Sequence, residues 1–291
     1  MASSPGNLRA LPERVVIRPR GGWPAVNWRE LWHGRELLFF LAWRDVKVRY
    51  KQTVLGALWA ILQPLVSMVV LTLVFRSLLG IDRRLMGTTS EGYPYPVFLF
   101  AGLLPWQFFS ESLRRSSESV VVSANLVQKV YFPRLVIPLS AVAGAAMDFA
   151  LSLLVLAGLM VWYGHAPGVG LLAVVPLAVL TAMAATGVGV LISALNAAYR
   201  DFRHIVPFLL QVWFYATPLI WSARIVEAPR LRLLIALNPM CGIVEGYRRA
   251  ILPGWPLDGT LLAVSAASTA LLLLVGLRYF RKVEISFADI L

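Results

Sequence analysis

Long tracts without a charged side chain dominate the pattern of apolar and polar positions along this chain. Residues 52–75, 92–110, 149–199, 205–223 and 259–277 carry no Asp, Glu, Lys or Arg. An ionised side chain at the centre of a bilayer costs about 2.5–3.5 kcal/mol, and about 20 apolar residues cross the hydrocarbon core. The pattern therefore predicts six transmembrane spans, near residues 54–79, 94–113, 136–163, 169–195, 205–222 and 258–279.

The tracts are continuously apolar rather than alternating, which favours helices over a β-barrel. We therefore expect an all-α integral membrane protein with a six-helix transmembrane domain over residues 54–280. Small residues in the fourth span, among them Gly187 and Gly189, would let helices approach closely.

The segments outside the spans differ in character. Residues 1–27 are rich in Pro, Gly and Arg and are expected to form a mobile cytoplasmic tail. Residues 28–53 place aromatic and basic side chains at helical spacing, which predicts an amphipathic helix in the headgroup layer; a short soluble helix packed on protein is the alternative. The residues that define this interface helix are Trp28, Trp32, Phe39, Trp43, Arg44 and Lys47.

A further apolar segment, residues 233–252, is interrupted by Asn238-Pro239 and by Glu245. We expect it to form short interfacial or re-entrant helices between spans five and six. Residues 281–291 are expected to form a cytoplasmic C-terminal tail.

Composition and charge support this picture. The chain is 58% hydrophobic and 14% charged, whereas a soluble domain is about a quarter charged. With both termini in the cytoplasm, the inner loops hold 19 Lys and Arg and the outer loops 8, as the positive-inside rule requires. These basic residues serve topology and lipid contact, so no nucleic-acid partner is expected.

Chemistry within the chain is sparse. One cysteine excludes an internal disulfide, and three scattered histidines form no usual metal site. No Gly-x-x-x-x-Gly-Lys-Ser/Thr phosphate loop occurs. We therefore expect this chain to bind neither metal nor cofactor and to perform no catalysis.

The cytoplasmic segment 116–134 carries exposed apolar and aromatic residues. The sequence predicts a short helix that is capped by Asn125, presents Leu126, Val130 and Tyr131 on one side, and ends before Pro133. Such a surface indicates docking to another protein, and packing on the membrane surface is an equally good interpretation of the pattern alone.

Several motifs, taken in order, resemble those of type-2 ABC exporter permeases that move polysaccharides. They extend over most of the chain from residue 28 onward and are specific only in combination. They are residues 44–53, Leu55-Gly56, Trp59, Gln63-Pro64, Tyr95-Pro96, residues 101–106 and 125–134, Tyr199-Arg200-Asp201, Pro207-Phe208, Thr217-Pro218, Leu237-Asn238-Pro239 and Phe287-Ala288-Asp289.

The resemblance implies a homodimer in the bacterial inner membrane that carries two copies of a separate ATPase, which binds ATP and Mg. Its substrate would be a lipid-linked polysaccharide, with O-antigen favoured over capsular polysaccharide or teichoic acid. It also implies that the segment ending at Arg134 is a coupling helix inserted into the ATPase, with a second contact nearby. The implied coupling residues are Asn125, Leu126, Val127, Lys129, Val130, Tyr131, Phe132, Pro133, Arg134, Arg200 and Asp201.

A pathway for sugar chains requires aromatic platforms and a few hydrogen-bonding groups. Aromatic residues cluster in spans two and five, although they could equally form interfacial belts or face lipid. Asp148 is the only acid well inside a predicted span; it either serves a pathway or satisfies a neighbouring Ser, Thr or Arg. The candidate pathway residues are Trp59, Phe98, Phe100, Trp106, Phe108, Phe109, Asp148, Trp213, Phe214 and Tyr215.

Three other functions compete with polysaccharide export. A permease of the same class could export a drug or small lipid. A membrane-embedded glycosyl- or acyltransferase would need a cluster of acids, bases or a metal at a membrane face, and the acids here are dispersed. An ion-coupled carrier would show several intramembrane ionisable groups, where this sequence shows one.

Overall fold

The structure, a computed structural model, describes residues 28–51, 56, 58–87, 93–165, 168–199, 201–252 and 254–287. The predicted tail 1–27 lies outside these residues. Within them the fold is all-helical, as predicted. The helices are α1 (Trp28–His33), α2 (Arg35–Lys51), α3 (Leu58–Thr72), α4 (Asp82–Met86), α5 (Tyr95–Val122), α6 (Ala124–Lys129), α7 (Val136–Trp162), α8 (Val174–Ala198), α9 (Phe202–Ala216), α10 (Pro229–Ala236), α11 (Pro239–Ile251) and α12 (Gly259–Val283).

Four helical stretches of the described residues are long and apolar enough to cross a membrane. They are Leu58–Leu78, Val136–Trp162, Val169–Ala198 and Gly259–Ser286, and they correspond to predicted spans one, three, four and six. The first continues α3 through a π-helix at Leu73–Leu78, and the third begins as a 3-10 helix at Val169–Ala173.

The other two predicted spans have different bounds. In place of 94–113, α5 extends to Val122 and carries the charged residues of its last third inside one continuous helix. In place of 205–222, α9 begins at Phe202 and ends at Ala216, because Thr217 precedes a proline and adopts an extended backbone. At 15 residues α9 is shorter than the about 20 that cross a bilayer unaided.

Helix α5 contributes more buried residues than any other helix. It packs against α7 and α8 along its length and also contacts α3, α9 and α11. From Tyr95 to Trp106 every residue is buried, whereas Arg114 farther along the helix is exposed. Burial on all sides is expected for a helix at the centre of a bundle. Helix α5 therefore holds the other helices in place.

Helices α8 and α12 touch through their backbones. A Cβ added at Gly276 would lie 2.0 Å from the carbonyl oxygen of Gly187, and one added at Gly187 would meet the backbone of Leu273 at 2.6 Å. Only glycine permits this approach, so the close packing expected for the fourth span is found at Gly187.

The N-terminal segment is two helices rather than the one predicted over 28–53, since α1 and α2 are separated at Gly34. On α2, Leu41, Ala42 and Val46 are buried, and the helix packs against α7. Side chains on its other side are exposed, namely Trp32 of α1 with Phe39, Trp43, Arg44 and Lys47. The segment thus packs on protein with one side and leaves its aromatic side open; the side chain of Trp28 lies outside the described residues.

The segment predicted to be re-entrant forms α10 and α11. Asn238 caps α11 by accepting a hydrogen bond from the Met240 amide at 3.0 Å, and Pro239 occupies the first turn. At the other end of the chain α12 extends to Val283, and Phe287 is fully buried against Phe280. Residues 281–287 are therefore packed rather than forming the tail predicted there, and 288–291 lie outside the described residues.

Candidate functional site

Asp148 accepts hydrogen bonds from three side chains that belong to two other helices. The Oδ2 atom lies 2.5 Å from Nη1 of Arg49 on α2 and 2.5 Å from Nη2 of Arg115 on α5. The hydroxyl of Tyr50, also on α2, donates to Oδ1. Asp148 thus joins α2, α5 and α7 at one point. These contacts agree with the sequence-based alternative in which it satisfies a neighbouring Arg, and a pathway role for it stays a prediction.

A second carboxylate extends this cluster. Glu111 lies 2.5 Å from Nε of Arg115 and accepts from both Nε and Nη2 of Arg114, at 2.9 and 2.8 Å. Burial and the nearby Asp148 raise the pKa of Tyr50 to about 12. Tyr50 therefore keeps its proton at neutral pH and remains a donor to the Asp148 carboxylate.

This polar cluster forms one wall of a cavity of about 360 Å³ between α2, α3, α5 and α7. Helix α3 contributes Trp59 and Gln63 to its lining, and the buried Phe108 and Phe149 also line it. Trp59 is 57% exposed, whereas Phe108 stacks on Phe149 with ring centroids 4.9 Å apart. The cavity combines an aromatic platform, amide groups and paired charges, which is the chemistry expected for binding a polar, hydroxyl-rich ligand.

The structure therefore brings together three of the candidate pathway residues, Trp59, Phe108 and Asp148, on one cavity. The others lie elsewhere. Four side chains of α5 are in the protein core, namely Phe98, Phe100, Trp106 and Phe109. The three candidates of α9 are Trp213, which donates to Asn238 Oδ1 at 2.8 Å, Phe214, which packs edge-on against Trp106, and Tyr215, which is exposed. A pathway role for these seven stays a prediction.

The predicted coupling segment forms a short helix followed by a non-helical stretch with a bend and a turn. The helix begins at Ala124 after Ser123, so Asn125 is not its cap as predicted, and it ends at Lys129. Asn125 is exposed while Val127 is buried. Ser123 occupies the cap position without a capping side-chain hydrogen bond, and the end of α5 at Val122 sets the earlier start.

Beyond α6 the backbone is extended at Val130, bends at Phe132 and turns at Arg134, and the aromatic side chains of this stretch differ in exposure. Tyr131 is 96% exposed and Val130 is 51% exposed, whereas Phe132 is half-buried. Arg134 donates to the carbonyl oxygen of Glu284 at the end of α12. The segment thus exposes Tyr131, and its C-terminal end, at Arg134, is hydrogen-bonded to the end of α12.

A group of ion pairs lies beside Arg134, at the end of α12. Arg281 of α12 lies 2.7 Å from Glu284 and 3.8 Å from Glu30 of α1. The predicted second contact is described only in part: Asp201 is exposed, and Arg200 lies outside the described residues.

Sequence reasoning missed a buried ion pair at the far end of the bundle. Glu245 lies 2.9 Å from Arg248, which is fully buried over the ring of Phe98 at 3.8 Å. Glu245 also accepts from the Trp255 indole, the Ser222 hydroxyl and a backbone amide. In the sequence, Glu245 and Arg248 stand three positions apart, and this spacing was the available signal for an ion pair.

The chain is similar over most of its length to a described transporter family and to several of its members. The profile of the family described as ABC-2 type transporter matches residues 36–252. The O-antigen export system permease protein RfbA of Myxococcus xanthus is 34% identical over 265 residues, which cover 90% of this chain and 97% of that protein. RfbA of Klebsiella pneumoniae is 30% identical over 257 residues, 88% and 95% of the two chains.

A more distant relative has another cargo in its name. The polysialic acid transport protein KpsM of Escherichia coli is 26% identical over 246 residues, which cover 83% of this chain and 91% of that protein.

Proposed function

The chain belongs to the ABC-2 type transporter family, and we propose that it is the permease subunit of an ATP-driven exporter of lipid-linked polysaccharide, with O-antigen as its cargo. The observation that carries this proposal is the match to two O-antigen export permeases along at least 95% of their lengths. The family consists of transporter permeases, so ATP and Mg are assigned to a separate ATPase subunit.

We further propose six spans, with both termini in the cytoplasm of a bacterial cell and the permease in its inner membrane. Helices α5 and α9 would be the second and fifth spans, in addition to the four long apolar helices. The excess of Lys and Arg in the inner loops supports this orientation.

The second copy of the permease is placed against α3 and α9. Within α3 only Pro64 and Met68 are buried, and within α9 only Val206 is. Both helices pack on α5, so a partner that contacts α3 and α9 would cover the two least buried long helices and enclose a path between the copies.

The cavity at Asp148 is assigned to the entering glycan. Trp59 offers an exposed ring for the C–H face of a sugar, and Gln63 with Arg114 offers hydrogen-bond donors to hydroxyl or phosphate oxygens. Because Asp148 pairs with Arg49 of α2, ligand binding here would also act on the N-terminal interface helices.

The segment 124–134 is assigned to the ATPase contact, together with Arg200 and Asp201. An almost fully exposed tyrosine is the type of residue that anchors an interface. Through Arg134, displacement of the segment would act on the end of α12 and, through Arg281, on α1. ATP-driven movement of the partner would thereby reach the membrane helices.

Co-purification from the native cell tests the proposal. The tagged permease is extracted in mild detergent, and mass spectrometry identifies the proteins and lipid-linked glycans bound to it. An ATPase in equal amount and an O-antigen precursor are expected. A capsular glycan instead, as the match to KpsM would suggest, replaces the cargo but keeps the function, and a chain without ATPase contradicts it.

Two variants test the coupling contact. Tyr131→Asp should reduce the recovered ATPase about tenfold or more, because loss of an aromatic anchor costs at least about 1.4 kcal/mol. Val122→Asp is the matched control, since Val122 is 78% exposed at the end of α5 but outside the segment 124–134. Equal ATPase recovery in both variants would count against a coupling role for Tyr131.

A further inference from the structure

A larger cavity lies at the end of the bundle opposite the coupling segment. It is a groove of about 760 Å³ between α8, α11 and α12. Its walls are almost entirely aliphatic, formed by Ala173, Pro176, Leu177 and Leu180 on one side and Ile251 and Leu262 on the other. An open groove with such walls is suited to a hydrocarbon chain.

One cation stands in this apolar lining. Arg249 lines the groove and is exposed. It forms no hydrogen bond or ion pair with any other residue that the structure describes, in contrast to the neighbouring Arg248, which is paired with Glu245, and to Arg232, which lies 2.5 Å from Asp258. Its guanidinium is thus available to an anion at the groove.

The groove has the length of one lipid leaflet. Its α8 side runs from Val169 to Leu180, which spans about 18 Å at the rise of a 3-10 turn followed by an α-helix. Half of a hydrocarbon core of about 30 Å is about 15 Å. The groove begins beside the turn that joins α7 to α8, at the end of two candidate spans, which is where the headgroup layer is expected.

We propose that this groove binds an anionic phospholipid of the surrounding bilayer, with an acyl chain along α8 and its phosphate at Arg249. An aliphatic slot alone would take any acyl chain. The unpaired arginine makes the site selective for a lipid with net negative charge over a zwitterionic one. The site is separate from the Asp148 cavity and does not depend on which cargo the permease exports.

Lipid retention measures this site directly. The full-length permease is extracted in mild detergent, exchanged into bilayer discs of phosphatidylethanolamine and phosphatidylglycerol, and then returned to detergent, and the lipids that remain bound are quantified. We expect bound phosphatidylglycerol, and about fivefold less with Arg249→Gln, since one arginine near a membrane surface attracts anionic lipid with about 1 kcal/mol. Arg249→Lys should keep most of it.

Three further variants separate groove binding from general surface attraction. Arg230→Gln removes an exposed arginine of α10 that does not line the groove and should leave retention unchanged. Ala173→Trp fills the groove and should abolish retention, whereas Leu172→Trp, at a 73% exposed position beside it, should not.

Each other outcome overturns the proposal. Equal loss with Arg249→Gln and Arg230→Gln would mean diffuse charge attraction. Loss of phosphatidylethanolamine alone with Ala173→Trp would mean a neutral lipid. A fall in the mass of the permease assembly with Ala173→Trp and unchanged lipid would mean that a second copy of the chain covers the groove.

Discussion

Replacing Asp148 by Asn should destabilise the permease measurably, because it removes the negative charge to which α2 and α5 are both attached. The side chains of Asp148, Arg115 and Arg49 are 17%, 14% and 31% exposed. Breaking a fully buried pair costs about 3–5 kcal/mol and an exposed pair contributes about 0–1 kcal/mol. Arg115 also keeps Glu111 as a partner, so we expect a loss of about 2–3 kcal/mol.

The thermal unfolding that measures this loss can be followed through a cysteine of the chain itself. Cys241 is its only cysteine and is fully buried, so a thiol-reactive dye should report thermal unfolding of the purified permease. The expected loss lowers the melting temperature by about 4–12 °C. Asp45→Asn is the matched control: its carboxylate is 38% exposed and pairs with the adjacent Arg44, so its melting temperature should fall by less than about 3 °C.

A double-mutant cycle isolates the pair itself. If Asp148 and Arg49 interact as the structure has them, combining Asp148→Asn with Arg49→Gln should cost at least about 1 kcal/mol less than the sum of the two single changes. Additive losses, or equal melting temperatures for Asp148→Asn and Asp45→Asn, would refute the assignment of Asp148 as the link between these helices.

Three further changes test other parts of the fold by the same thermal assay. Glu245→Gln leaves its arginine partner buried without a counter-charge and should cost about 3–5 kcal/mol, whereas Glu227→Gln, at an exposed site, should change little. Gly276→Ala should cost about 1–3 kcal/mol of stability, because the added methyl group pushes α12 away from α8. Gly158→Ala, whose methyl group meets open space on α7, should stabilise the protein by about 0.5–1 kcal/mol. If Gly276→Ala were the more stable of the two variants, the backbone contact would be contradicted. The pKa of Tyr50 is raised to about 12 in the folded protein from about 10 when unfolded, so the stability that its proton contributes is complete below pH about 10 and is lost as the pH rises to about 12. Tyr50→Phe should therefore reduce the fall in melting temperature between these two pH values. An unchanged dependence of melting temperature on pH would contradict the pKa shift.

The sequence predicted those elements whose signal is local. The uncharged tract after Asp148 gave α7 and α8 nearly at their observed bounds, because exclusion of charge from a hydrocarbon core is a property of each residue alone. It also marked Asp148 as the unusual acid. Two partners of that acid, Arg49 and Tyr50, lie 99 and 98 positions away in the chain, and no periodicity relates residues so far apart.

Other features could not be predicted because two local signals competed. The uncharged tract 205–223 predicted a longer helix than α9, whereas Thr217-Pro218 ended it. Arg248 is one of the eight Lys and Arg counted in the outer loops, although tertiary contacts bury it completely. For a basic residue between two predicted spans, charge alone does not distinguish a topology signal from a core ion pair.

The contact between Gly187 and Gly276 also limits how this protein can move. Where two backbones touch, neither helix can roll or slide without collision, so α8 and α12 must travel as one rigid body, with α5 packed against it. In the proposed exporter, opening a passage would then fall to the helices with few buried side chains, α3 and α9. The π-helical turn at Leu73–Leu78 would give α3 a place to bend. Helices α5, α8 and α12 would then act as a stiff frame, and α3 and α9 as a movable gate.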